Sequence, residues 1–423
     1  MRALHLCLGL GLLAAGCQQA QTGPFVLTVS GGLEGAPLAG AEVSKVELRV
    51  RTLAGEEKVV ATATRAAGGL DLPDAARTGQ GSLAVAGLSA TGAVVAYGRT
   101  IPIDLGGLVD ATSSLRVMAQ PVGSAARILS LPRAAHAPRC GLVGVRFLVI
   151  GDASSTALQV VDLLNWTASD EASALPFAPE TLATAGAYVL ALSAKGEVAL
   201  VDLEAGTTTT PAAPTGTAFA EVVGGKVVVG DDGAAWIVGA GRATGATDLV
   251  LRLGTDGTLA ARRLGTARTG AAVAWVPSRG VVVAYGTPVG PVEILSPTAT
   301  VAAPLPFPAE ATVGGVLAPW DSARVLRIDD DGRGTFLDLG CGSGCAPAAA
   351  FDAGKGVGAQ ALGLEGGGVV ALRAGAVQLL EGASPRSLGS ATTGACAVAL
   401  PTGVVAIAVE GDAVLRTVLG SRK

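Results

Sequence analysis

Aromatic side chains make up only 3% of this chain and charged ones 15%, and two histidines occur in 423 residues. Each scarcity excludes something. Three tyrosines and four tryptophans leave few platforms for stacking sugar rings. A formal net charge of −4 gives no electrostatic footprint for nucleic acid or another polyanion. Two histidines, His5 and His136, are too few for a histidine-built metal centre, and the spacings of a zinc protease helix, a serine elbow and a phosphate loop do not occur. Beyond the N-terminal segment no stretch approaches the 18 unbroken apolar residues of a membrane span. Glycine is abundant instead, 61 residues, within a composition that is 50% hydrophobic.

The N-terminus carries the first positive signal. Met1 and Arg2 precede an apolar stretch from Ala3 to Ala15, and small residues lead into Gly16-Cys17. A helix over Ala3 to Ala15 would be about 20 Å long, against a hydrocarbon core of about 30 Å. It is too short to span, so the segment reads as a cleaved leader. The string Leu13-Ala14-Ala15-Gly16-Cys17 resembles a bacterial lipoprotein signal with its lipobox, although Ala14 stands where that family prefers leucine. The resemblance implies a leader over 1–16, lipid attachment at Cys17, a tether over 17–23 and a membrane partner reached through N-terminal lipid. Gln18 and Gln19, with no aspartate at the second position, favour the outer membrane by the same resemblance.

With Cys7 removed and Cys17 acylated, Cys140, Cys341, Cys345 and Cys396 remain. An even number in an exported chain predicts two disulfides. The Gly-Ser-Gly spacer between Cys341 and Cys345 suits a local bridge, which leaves Cys140 to pair with Cys396. The competing reading is a structural zinc site from His136, Cys140, Cys341 and Cys345.

Residues 24–122 read as an all-β module. Lys45 to Arg51 alternates charged and apolar residues, which predicts a half-buried strand with Val46, Leu48 and Val50 on its inner face. Further strands are expected near Lys58 to Thr64, Ser82 to Ala86 and Ala93 to Arg99, a spacing that suggests a small β-sandwich. The run from Gly81 to Tyr97 resembles the immunoglobulin-like modules behind many bacterial lipoprotein anchors.

From residue 123 to 423 the pattern is periodic. Leu264 to Pro277 echoes Leu388 to Pro401 at a displacement of 124 residues, and Leu175 to Glu180 echoes Leu305 to Glu310 at 130. Both equal three units of the size of a four-stranded propeller blade, about 40 to 45 residues. The marker leucines Leu131, Leu175, Leu264, Leu305 and Leu388 then delimit six units. Gly389 to Leu419 supplies most of a seventh, with its missing strand drawn from Ala126 to Leu131. A six-bladed ring with one irregular blade is the alternative count. Cys396 and Cys140 follow their marker leucines by eight and nine residues, on equivalent strands of the last and first blades, so a bridge between them would lock the ring.

Gly270 to Gly286 with Val292 to Pro297, Phe147 to Asp152 with Leu158 to Asp162, and Trp236 to Gly241 with Asp248 to Arg252 are similar to Kelch blades, with paired glycines and the late tryptophan mostly lost. The copper oxidases of that class need two histidines, which the mature chain lacks. One acidic string stands out, Asp329-Asp330-Asp331-Gly332. Asp329 and Asp331 are candidate calcium ligands, against the plain reading of a hairpin turn with solvated carboxylates. No other cofactor is expected. The sequence therefore predicts an all-β chain, a β-sandwich followed by a β-propeller, monomeric and binding a protein or polysaccharide of the cell envelope without catalysis. The alternative function is a carbohydrate-active hydrolase or lyase using Asp and Glu at the channel mouth.

Overall fold

The structure is a computed structural model that describes residues 26–53, 55–64, 78–109, 114–170, 175–310, 314–365, 367–373, 375–382, 384–390 and 394–421. The expected leader, Cys17 and the tether lie outside these residues. The described residues are almost wholly β, and those from 124 onward form seven four-stranded antiparallel sheets arranged as a seven-bladed propeller.

Burial within a blade explains its sequence. Second strands are walled on both faces by neighbouring blades, so they read as unbroken apolar runs: Tyr188–Leu192, Gly280–Ala284 and Val405–Ala408 are buried almost throughout. Outermost strands face water and carry the polar residues, as in Thr207–Thr209 and Arg386–Gly389. Alanine and valine dominate the cores between blades, one of which joins Ala183, Leu190 and Leu192 to Ile237 and Leu251. Thin side chains bring the sheets close. A Cβ on Gly141 would lie 2.4 Å from the Thr184 methyl of the next blade, which excludes any larger residue there without displacement.

The seventh blade takes three strands from the C-terminal end, Cys396–Ala399, Val405–Ala408 and Val414–Leu419, and its outermost strand, Ser124–Ser130, from the start of the propeller. The ring is thus closed by the expected exchange of ends, and its count is seven. Each marker leucine falls in or just after an outermost strand, the position at which one blade hands over to the next. Cys140 of strand Pro138–Val143 and Cys396 are bridged between the innermost strands of blades 1 and 7, with Cα atoms 5.8 Å apart. Cys341 and Cys345 form the local bridge. Both pairings match the disulfide expectation. The alternative zinc set is not assembled: its cysteines are spent in two separate bridges, and His136 is engaged through its backbone N–H with Asp152.

The N-terminal module departs from a two-sheet sandwich. Its described strands make one seven-stranded sheet that curls into a half-barrel, in the order Val26–Ser30, Ser114–Pro121, Val94–Arg99, Gln80–Leu88, Lys45–Thr52, Glu57–Thr64, with Ile103–Asp104 paired to Gln80–Leu88. Leu48, Val50, Leu83, Val85, Leu115 and Val117 fill its concave side. The alternation in Lys45–Thr52 is present, but Glu47 on the other face is also buried, held between Lys45 at 2.8 Å and Arg49 at 2.8 Å.

The half-barrel is fused to the ring. Tyr97, Ile101 and Met118 share one core with Leu129, Trp166, Leu400 and Val404 of blades 7 and 1. Buried Arg99 pairs with Glu365 and donates to the Pro401 carbonyl at 2.7 Å. These partners lie in turns between first and second strands, which define the lower end of the propeller. The upper end, where each innermost strand begins, points away from the half-barrel.

Candidate functional site

The upper mouth of the central channel is where polar side chains from separate blades converge. Innermost strands present their unpaired edge to the channel, so backbone groups that a fifth strand would satisfy must find other partners. Side chains from neighbouring blades supply them. Arg139 of blade 1 donates to the Glu180 carbonyl at 2.7 Å and to its carboxylate at 3.0 Å, at the entry to blade 2. The Thr181 hydroxyl accepts the Gly224 N–H at 2.8 Å, joining blades 2 and 3. Asp330 Oδ1 accepts the N–H groups of Gly315 and Gly358, each at 2.9 Å, joining blades 5 and 6. Gln360 bonds both backbone groups of Ala397, at 2.8 and 2.9 Å, joining blades 6 and 7.

Lys226 behaves differently. It begins the innermost strand of blade 3, Lys226–Val229, and its ammonium donates at 2.7 Å to the carbonyl of Ala359 in blade 6, strand Gly358–Gly363. It therefore reaches across the channel instead of to a neighbour. Burial pushes this ammonium below its ordinary value, Arg139 adds to the depression, and Asp330 opposes it. An ammonium has three donors, and the Ala359 carbonyl takes one.

A second charged group lies at the junctions of blades 3, 4 and 5. Arg268 and Glu293 form an ion pair at 0% and 1% side-chain exposure. Burial pushes both toward their neutral forms, against their mutual attraction. Arg327, equally buried, sits 4.6 Å above the Tyr285 ring, and burial pushes the Tyr285 phenol up to about 12. Arg373 closes the junction of blades 5 and 6 by donating to the carbonyls of Gly354 at 2.7 Å and of Asp329 and Gly356, each at 2.9 Å.

The candidate calcium turn does not gather its carboxylates. Asp329 is buried and accepts the Arg333 N–H at 2.8 Å, Asp330 is committed to the two glycine N–H groups, and Asp331 points to solvent. The three lie in the turn between strands Arg324–Ile328 and Arg333–Asp338, where the chain reverses and successive side chains are not held on one face. Among the described residues no group of three His, Cys, Asp or Glu side chains is placed to hold a metal ion.

Sequence reasoning named none of Arg139, Lys226, Arg268, Tyr285 or Arg327. For Lys226 a weak signal existed: it is one of only six lysines beside 24 arginines, and it opens the apolar run Val227 to Val229. A cavity of about 10 Å3, lined by Met118, Gln120, Trp166 and Thr402, lies at the seam between half-barrel and propeller. It has room for a single water.

No protein-family model matches the chain, and no curated protein matches it. Similar solved structures include YCF48 from Cyanidioschyzon merolae, at 11% identity and a TM-score of 0.50, covering 70% of this chain and 99% of that one. A chain of the mitotic checkpoint complex gives 11% identity and a TM-score of 0.50, over 71% of this chain and 93% of that one. BamB from Moraxella catarrhalis gives 15% identity and a TM-score of 0.43, over 66% and 81%. At such identities the likeness to the first two extends to the propeller fold.

Proposed function

We propose that this protein is a lipid-anchored component of the cell envelope, the outer membrane favoured, and acts as a non-catalytic scaffold that binds a protein partner through its propeller. The reading includes acylation at Cys17, an immunoglobulin-like ancestry for the half-barrel, a degenerate Kelch-like ancestry for the blades and a monomeric state. Its support on the N-terminal side is the leader and lipobox pattern, together with two disulfides that suit an oxidising compartment.

The observation that carries the binding role is the use to which the mouth residues are put. A glycosidase requires two carboxyl groups facing each other across a substrate cleft. Here the Asp330 carboxylate holds two backbone N–H groups and Glu180 is paired with Arg139, so both act as fasteners between blades. What remains is a rigid ring that presents loops and a polar mouth to a partner. The hydrolase or lyase alternative gains no specific support from this geometry.

Mass spectrometry of the protein from its native membrane fraction tests the anchoring. The expected species starts at an acylated Cys17 and loses its membrane association in the variant Cys17→Ala. An intact leader, or unmodified Cys17 in a freely released chain, would remove the envelope reading.

A further inference from the structure

We propose that the upper channel mouth is a binding site for a carboxylate, an acidic side chain or free chain end of a protein partner, with Lys226 as the residue that contacts it. The proposal rests on the scaffold reading above and names the site through which the scaffold would engage. Four blades contribute: Lys226 from blade 3, Arg139 from blade 1, Ala359 from blade 6 and Asp330 from blade 5.

Donor supply comes first. The Lys226 ammonium gives one bond to the Ala359 carbonyl, which leaves two of its donors for a ligand. Arg139 has already committed four bonds to carbonyls and to Glu180, so it contributes mainly charge. Asp330 is the nearby countercharge, and its Oδ1 atom is held by Gly315 and Gly358. A part-buried ammonium whose resident acceptor is a neutral carbonyl keeps a full positive charge without a direct ion-pair partner among the described residues, and an arriving carboxylate gains charge–charge attraction that the carbonyl does not supply. Burial, with the nearby Arg139 charge, lowers the basicity of Lys226, and Asp330 only partly offsets them.

The surroundings of the mouth come second and bear on the occupant. The Lys226 side chain and one hydrogen bond bridge blade 3 to blade 6, and with Arg139 they place positive charge at the mouth. Aromatic residues that would stack on sugars lie toward the lower end, as Trp275 and Trp320 do, or are buried, as Trp236 and Tyr285 are. Val357, next to the Gly358–Gly363 strand, is 57% exposed and offers one apolar contact beside the mouth.

Competitive acylation of lysines in the full mature protein, read by mass spectrometry, tests the site without altering the fold. Exposed Lys58 and Lys195 serve as internal references. The probes are a hexapeptide with a free C-terminal carboxylate, the same peptide as its C-terminal amide, an amide-capped peptide with a central aspartate, and a galacturonate trimer. The expected result is at least fivefold slower modification of Lys226, relative to the references, with either carboxylate peptide and no slowing with the amide. Equal effects of acid and amide, or no protection by either acid, would overturn the proposal. Protection by the galacturonate trimer alone would reassign the mouth to acidic polysaccharide and overturn the protein partner. A photo-crosslinker placed at Val357 in cells separates the two levels of argument. Absence of any crosslinked protein would overturn the scaffold reading while leaving the acylation result standing.

Discussion

Individual side chains in this molecule act chiefly as fasteners between blades, and their removal should be felt as lost stability. Asp330→Ala frees two backbone N–H groups at the junction of blades 5 and 6. Leaving buried donors unpaired costs about 1 to 3 kcal/mol each, so the urea midpoint should fall clearly. Asp330→Asn keeps an acceptor oxygen and should recover most of the loss. Failure of asparagine to rescue would show that charge, not bond geometry, is what matters there. For the buried pair, Arg268→Met leaves Glu293 without its partner and should cost about 3 to 5 kcal/mol, whereas replacing both by apolar residues should return stability close to wild type. Urea titration of the single and double variants checks this.

Acid sensitivity follows from Asp162. Burial works against its charge, but the Arg146 guanidinium, the Leu164 N–H and the Asn165 amide outweigh burial and hold this carboxyl below its ordinary value. A depressed carboxyl contributes stability above its unfolded value of about 3.9. That contribution is lost as pH falls through the lower folded value. Wild type minus Arg146→Gln in unfolding free energy should therefore be constant from pH 7 to 5 and shrink below about pH 4. A difference that persists at pH 2 would assign the effect of Arg146 to packing on Phe147, over which it sits at 5.0 Å. At this scale the sequence was least legible. Lys226 and Ala359 are 133 positions apart and meet only because a ring places blades 3 and 6 opposite each other. No local pattern encodes that, just as no local pattern reveals that Asp329, Asp330 and Asp331 face three ways.

Strands and sheets were far more legible, for a physical reason. Each blade buries a short strand on both faces and exposes its last strand, and this gradient recurs with the chain, so the marker leucines and apolar runs located the blades and their closure. The half-barrel was less so. Its strands were placed well, since alternation fixes a strand, but the choice between two facing sheets and one curled sheet depends on pairings between distant segments, such as the parallel contact of Val26–Ser30 with Ser114–Pro121. At this scale Gly98 is informative: a Cβ there would lie 2.3 Å from the Met118 carbonyl on the adjacent strand. Gly98→Ala must move backbone, and an overpacking cost of about 1 to 3 kcal/mol is expected. Because the half-barrel and blades 7 and 1 share one core, that loss should appear in a single unfolding transition of the whole chain. Two separated transitions would show that the half-barrel unfolds by itself.

For the molecule as a whole, the two bridges differ in what they enclose. Cys140 and Cys396 are 256 positions apart, Cys341 and Cys345 only four. In the chain-entropy account the long loop contributes about 5 kcal/mol and the short one about 2 kcal/mol. Thermal melts of Cys140→Ser with Cys396→Ser and of Cys341→Ser with Cys345→Ser should therefore rank in that order. The exchange of ends in blade 7 has a consequence for biosynthesis. Ser124–Ser130 is made early, yet its partner strand, Val414–Leu419, follows only after all the other blades. During translation the nascent polypeptide carries an unmatched strand edge for nearly three hundred residues, and a frameshift or early stop anywhere downstream leaves it permanently bare. Synthesis of the last blade is thus written into the shape, and a copy lacking it offers quality-control proteases a ready means of recognition.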